Sequence, residues 1–113
     1  MIVFLRLLML AVLATMLVVT VTASQERGVF EAAAALWPDP WFRATLADAY
    51  FGFLTVFLWI AYKEPTASRR VAWFVLLMTL GNFAIAGYLL WQLFRLRSDD
   101  PIERLLLRSE EAT

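Results

Sequence analysis

The chain of 113 residues contains no cysteine and no histidine. Without cysteine there is no disulfide, no thiolate nucleophile and no thiolate-ligated metal. The redox compartment therefore leaves no mark on the sequence. Without histidine there is no imidazole ligand for a metal or haem, and no Ser-His-Asp triad. A pair of carboxylates flanking a cleft, a phosphate-binding glycine loop and an activated nucleophile are also missing as patterns, so the residues argue against an enzyme. No catalytic residue, metal or cofactor is expected. Activity on lipid head groups, using Asp48 and arginines, is the one enzymatic reading left open. Net charge is absent too, because ten basic and ten acidic residues cancel. No basic face with interleaved aromatics suggests nucleic acid as a partner.

What the chain does have is apolar sequence. Hydrophobic residues make up 62% of it, against roughly half in ordinary soluble chains. The excess lies in three runs, which the reading places as transmembrane helices at 2–23, 41–62 and 71–94. Each is close to the length of about 20 residues that crosses a hydrocarbon core. The expected fold is an all-α membrane protein of one domain. Helices two and three form an antiparallel hairpin, because the 63–70 connector is short. A short amphipathic helix is expected in the tail.

The first run carries Arg6 near its start, where it can snorkel to the headgroups. Ala11, Thr15, Val18 and Thr22 recur at helical spacing and suit close helix packing. A cleaved signal peptide is the rival reading, since Val21-Thr22-Ala23 before Ser24 resembles a cleavage site. The run is longer than a usual signal core, which favours a retained helix.

Residues 24–40 form a surface loop. Phe30 to Trp37 reads as a short helix lying on the membrane, or as an alanine-rich connector. Asp39 is a good N-cap, and Pro40 suits the first helical position of the next segment. Trp37, Trp41 and Arg43 mark the interface at that end; Trp59, Tyr62 and Lys63 mark the other. Arg69, Arg70 and Arg95 are further interface anchors, and Arg69 and Arg70 could touch anionic lipid. Lys63 with Glu64 reads as a solvated helix end. In the tail, 95–113, Asp100-Pro101-Ile102-Glu103 repeats the helix-start signal. Glu110 to Thr113 are expected to fray.

Asp48 is the sharpest polar feature. It lies seven residues after Trp41, roughly 10 Å in at 1.5 Å per residue. A carboxylate at that depth is unfavourable in lipid, so it should face the helix bundle, on a strip with Thr45, Gly52 and Thr55. Counting rise from both ends of the hairpin sets Asp48 level with Ile85, with Asn82 and Tyr88 as partners. These three residues are the intramembrane polar candidates. They read as a hydrogen bond locking two helices, or as a proton or ion relay.

Several pieces taken together resemble a known family. They are Trp41-Phe42, Ala44-Thr45-Leu46, Asp48 with Tyr50, Trp59 with Tyr62-Lys63-Glu64, Gly81, Tyr88, Gln92-Leu93, Leu96, Asp100-Pro101 and Leu105-Leu106. The chain resembles domain-of-unknown-function family 1475, from about Trp41 to Arg108 and more loosely over the first helix. The resemblance implies a small multi-pass integral membrane protein and carries over no site residues.

Two functions follow as expectations. The first is a structural or accessory membrane component, embedded in the lipid bilayer as a homo-oligomer or within a larger complex. The second is a proton-coupled carrier or solute relay using Asp48 with Asn82 and Tyr88. Orientation is in conflict. Three crossings would put Arg6, Lys63, Arg69 and Arg70 on one side, and Arg27, Arg43, Arg95, Arg97, Arg104 and Arg108 on the other. The first helix usually dominates orientation, so the expectation is a cytoplasmic N-terminus and connector, with a translocated tail.

Overall fold

The computed structural model describes residues 1–108. The expected fraying of Glu110 to Thr113 lies outside them. The described residues form six helices and no strand: α1 (Ile2–Glu26), α2 (Val29–Leu36), α3 (Pro40–Lys63), α4 (Ala67–Leu80), α5 (Asn82–Phe94) and α6 (Glu103–Leu106). Two of them, α1 and α3, are long and apolar enough to cross a membrane.

Local chemistry sets most boundaries. α1 runs on past the expected Ala23 to Glu26, so the polar stretch Ser24-Gln25-Glu26 extends the helix instead of ending it. α2 occupies the alanine-rich piece of the 24–40 loop, which is therefore not a plain connector. At the start of α3, Asp39 Oδ1 accepts from the Trp41 backbone N–H at 2.9 Å, and Pro40 fills the first turn. Pro40 gives up no bond there, because that N–H has no intrahelical partner anyway. α3 stops at Lys63, before Glu64 in extended conformation and Pro65. Thr66 then caps α4 by accepting from the Arg69 N–H.

The expected third run, 71–94, is not one helix. It breaks at Gly81, where φ is +55° and ψ −118°. That backbone region is essentially restricted to glycine. A Cβ built there would also lie 2.7 Å from the Phe53 ring. The Gly81 N–H closes α4 on Leu77 O, and the Gly81 carbonyl accepts from Ala84 and Ile85 to open α5. The break reverses the chain. Leu77 and Ala84 share one core cluster near the tip, Trp73 meets Tyr88 at 4.8 Å, and Arg69 lies over Trp91 at 5.8 Å. α5 thus returns along α4 toward the end from which α4 came.

α4 also lies against α3, through Tyr50 with Met78, Phe57 with Phe74 and Glu64 with Arg70. The start of α1 packs on the end of α5. Ile2, Leu93 and Leu105 form a second cluster there, flanked by Leu5 and Met9. The tail differs from expectation at its start. Asp100 accepts from the Arg97 N–H at 2.7 Å, which bends the chain after α5 and leaves Asp100 no role as cap of α6. α6 is one turn, held by its contacts with α3.

Replacing Gly81 tests the reversal. Gly81→Ala is expected to lower stability by about 1–3 kcal/mol, from backbone strain alone, with the Phe53 contact adding to it. Gly87→Ala, where an added Cβ meets nothing within 4 Å, should be neutral or slightly stabilising. Thermal melting of both variants in uncharged detergent measures the difference.

Candidate functional site

Polar chemistry collects where α3 hands over to α4. Glu64 follows the last turn of α3 and is only 3% exposed. A buried carboxylate must be paired or hydrogen-bonded. Tyr88 Oη donates to Glu64 Oε1 at 2.9 Å, and an Arg69 guanidinium nitrogen lies 3.6 Å from Oε2. The Glu64 backbone carbonyl accepts from Arg70 Nε at 2.9 Å. Trp59, Trp73 and Trp91 enclose the Tyr88 ring edge-on at 5.5, 4.8 and 5.8 Å. That box fixes the hydroxyl toward Glu64.

The tail closes over the same place. Lys63 Nζ donates to Leu105 O, and Trp59 Nε1 donates to Leu106 O at 2.9 Å. Arg108 Nε donates to Tyr62 O at 2.6 Å. Arg6, from the start of α1, donates to Leu93 O at 2.9 Å and to Leu96 O, tying α1 to the end of α5 and the residues after it. Lys63 lies past the apolar segment 41–62, at the very end of α3.

Between these groups lies a cleft of about 930 Å³. Five basic residues line it, Lys63, Arg69, Arg95, Arg104 and Arg108, against the carboxylates Glu64 and Glu103. Arg69 and Arg95 both approach the Trp91 ring, at 5.8 and 5.4 Å. Eight of the ten basic residues gather at this end: Arg6, Lys63, Arg69, Arg70, Arg95, Arg97, Arg104 and Arg108. Arg27 and Arg43 remain at the α2 end, where Arg43 lies over the exposed Trp37 at 6.0 Å and Trp41 is exposed.

Several expectations change. Tyr88 does not join Asp48 and Asn82; it is spent on Glu64. Asp48 and Asn82 are both exposed, so Asp48 does not face the interior of this fold. The expected level of Asp48 with Ile85 assumed one straight helix. The break at Gly81 instead leaves Tyr50 opposite Met78, near the tip of the α4–α5 pair. Lys63 and Glu64 are buried and are not a solvated helix end. Trp59 and Tyr62 hold the tail by hydrogen bonds. Residues 95–108 lie at the same end as the start of α1 and the connector.

Glu64, Gln92 and the 104–108 segment were not legible as site residues. One signal was available: Tyr88, Gln92 and Arg95 fall at i, i+4 and i+7, a polar stripe down an otherwise apolar helix. Nothing comparable marked Glu64.

The model of the family described as "Protein of unknown function (DUF1475)" matches residues 1–113, and the chain belongs to that family. No curated protein and no solved structure matches it.

The Tyr88 hydroxyl is a testable part of this site. Tyr88→Phe leaves Glu64 one donor short in a buried place, which should cost about 1–3 kcal/mol. Tyr50→Phe removes an exposed bond to Met78 O and should cost clearly less. Denaturation of the two variants under one detergent condition makes the comparison.

Proposed function

We propose that the chain is an integral membrane protein that serves as a structural or accessory component, docking against other membrane helices and presenting its cationic end to the cytoplasm. One observation carries this reading. Only 6% of the apolar segment of either long helix is buried within the fold. Such surface must be covered by lipid or by another chain.

The exposed faces suit both. α1 shows lipid Phe4, Leu7, Leu10, Leu17 and Val18. Ala11, Thr15, Val18 and Thr22 on α1 are exposed, and so are Thr45, Asp48, Gly52 and Thr55 on α3. Small residues at these spacings let a second helix approach closely. Asp48 on that strip is unfavourable against lipid, which favours a partner helix, in a homo-oligomer or a larger complex.

In this reading α1 and α3 cross the bilayer, and α4 lies antiparallel to α3, as their paired residues support. α4 and α5 have 14 and 13 residues, about 20 Å of helix each, against a hydrocarbon core of about 30 Å. They form a re-entrant pair, entering and leaving at the cationic end. Its non-helical tip, Gly81, is buried in protein, as the membrane interior requires. With eight basic residues at one end, the positive-inside tendency puts the N-terminus, the connector and residues 95–108 in the cytoplasm. A carrier built on Asp48 would need it to meet Asn82 and Tyr88, and Tyr88 is engaged elsewhere.

Gly52 offers a clean test, because an added side chain there meets nothing within 4 Å in its own fold. After gentle detergent extraction the wild type should run on native electrophoresis as an assembly larger than the monomer. Gly52→Ile should shift it toward the monomer with the helical circular dichroism unchanged. A wild-type chain that migrates as a monomer under every gentle condition would refute the docking role.

A further inference from the structure

We infer that the cleft at the end of α3 binds a phosphate-bearing anion, held by Arg69, Arg95 and Arg104. The basic side chains lining the cleft outnumber its carboxylates: Arg69 and Arg104 each have one carboxylate, Glu64 at 3.6 Å and Asp100 at 3.7 Å, and Glu64 is shared with Tyr88. Like charges gathered at one cleft repel unless an anion joins them. Arg69 and Arg95 converge on the single ring of Trp91. Among the described residues neither Arg95 nor Lys63 has a carboxylate within salt-bridge distance.

Geometry narrows the class. A guanidinium is a planar fork that matches the tetrahedral oxygens of a phosphate two at a time. The cleft, at about 930 Å³, is at the upper end of the range of small-molecule sites, roughly 300–1,000 Å³. It has room for a head group or a small phosphate ester. In the membrane reading above, the end of α3 would lie at the level of anionic lipid head groups. A lipid phosphate and a soluble phosphate present the same chemistry to the cleft. The lipid source rests on the membrane reading above; the soluble source does not.

The test uses the full chain purified in uncharged detergent and follows tryptophan fluorescence, since Trp91 lies under both arginines. Dioctanoyl phosphatidic acid, sodium orthophosphate, dioctanoyl phosphatidylcholine and polyglutamate are titrated separately. Saturable binding of phosphatidic acid, with orthophosphate weak, assigns the site to lipid. Saturable binding of orthophosphate that displaces phosphatidic acid assigns it to a soluble phosphate. In either case the double variant R69Q/R95Q should weaken binding about tenfold or more. R27Q/R43Q, altered at the opposite end, should bind as the wild type does. Arg95→Lys should fall between, keeping the charge and losing the fork. If circular dichroism shows the double variant misfolded, Arg104→Gln, at an exposed side chain, takes its place and should weaken binding severalfold. The inference is overturned if neither phosphate binds above phosphatidylcholine, if the cleft and control variants weaken binding equally, or if polyglutamate alone binds. Since the measurement is made in detergent, failure of the cleft is separate from failure of the membrane assignment.

Discussion

Gly81 holds a backbone conformation that side chains resist, with the Phe53 ring lying where a Cβ would be. The arrangement of the second half of the chain depends on that constraint. Because the backbone reverses there, α5 returns along α4 instead of continuing the run. The return carries Tyr88 to Glu64, Arg95 to Trp91, and the segment after Phe94 to the end of α3. A straight helix through 71–94 would have taken all three to the opposite end of the molecule.

Once α5 is turned back, the buried Glu64 carboxylate becomes sustainable. Its oxygens meet a phenol and a guanidinium, and its carbonyl meets a second guanidinium. Lys63, the neighbouring buried cation, is satisfied by a carbonyl of the tail. No buried side-chain nitrogen or oxygen among the described residues lacks a partner. The same geometry concentrates positive charge at one end and leaves the small-residue strips of α1 and α3 bare. In a bilayer, a cationic end would favour one orientation, and uncovered helix faces would be open to lipid or to other helices.

The sequence made the helical elements legible where local chemistry decides them. Asp39-Pro40 announces α3, Pro65 stops it, and the alanine-rich piece before Trp37 is a helix. The reversal was hidden for a physical reason. Glycine is frequent inside membrane helices, so Gly81 in an apolar run does not stand out, and Asn82 after it resembles interhelical glue. The requirement for glycine comes from Phe53, far away in the chain. The reversal changes what lies downstream of it: the neighbours of Asp48 and the role of Tyr88. Glu64 was illegible because its burial is supplied by α5 and the tail, not by its neighbours. The surplus of basic residues in the tail, which conflicted with the charge near the connector under three straight crossings, ceases to conflict once both lie at one end.

If the chain spans a bilayer as proposed, residues 95–108 share a side with the connector. A chain without cysteine allows a direct measurement by single substitutions at exposed positions. Ser68→Cys, Ser98→Cys and Gln25→Cys are each expressed in intact membranes and treated with a membrane-impermeant maleimide, before and after the membrane is opened. Ser68→Cys and Ser98→Cys should react from one side and Gln25→Cys from the other. Ser98→Cys reacting with Gln25→Cys, opposite Ser68→Cys, would mean that 71–94 crosses the bilayer as one helix and would contradict this arrangement.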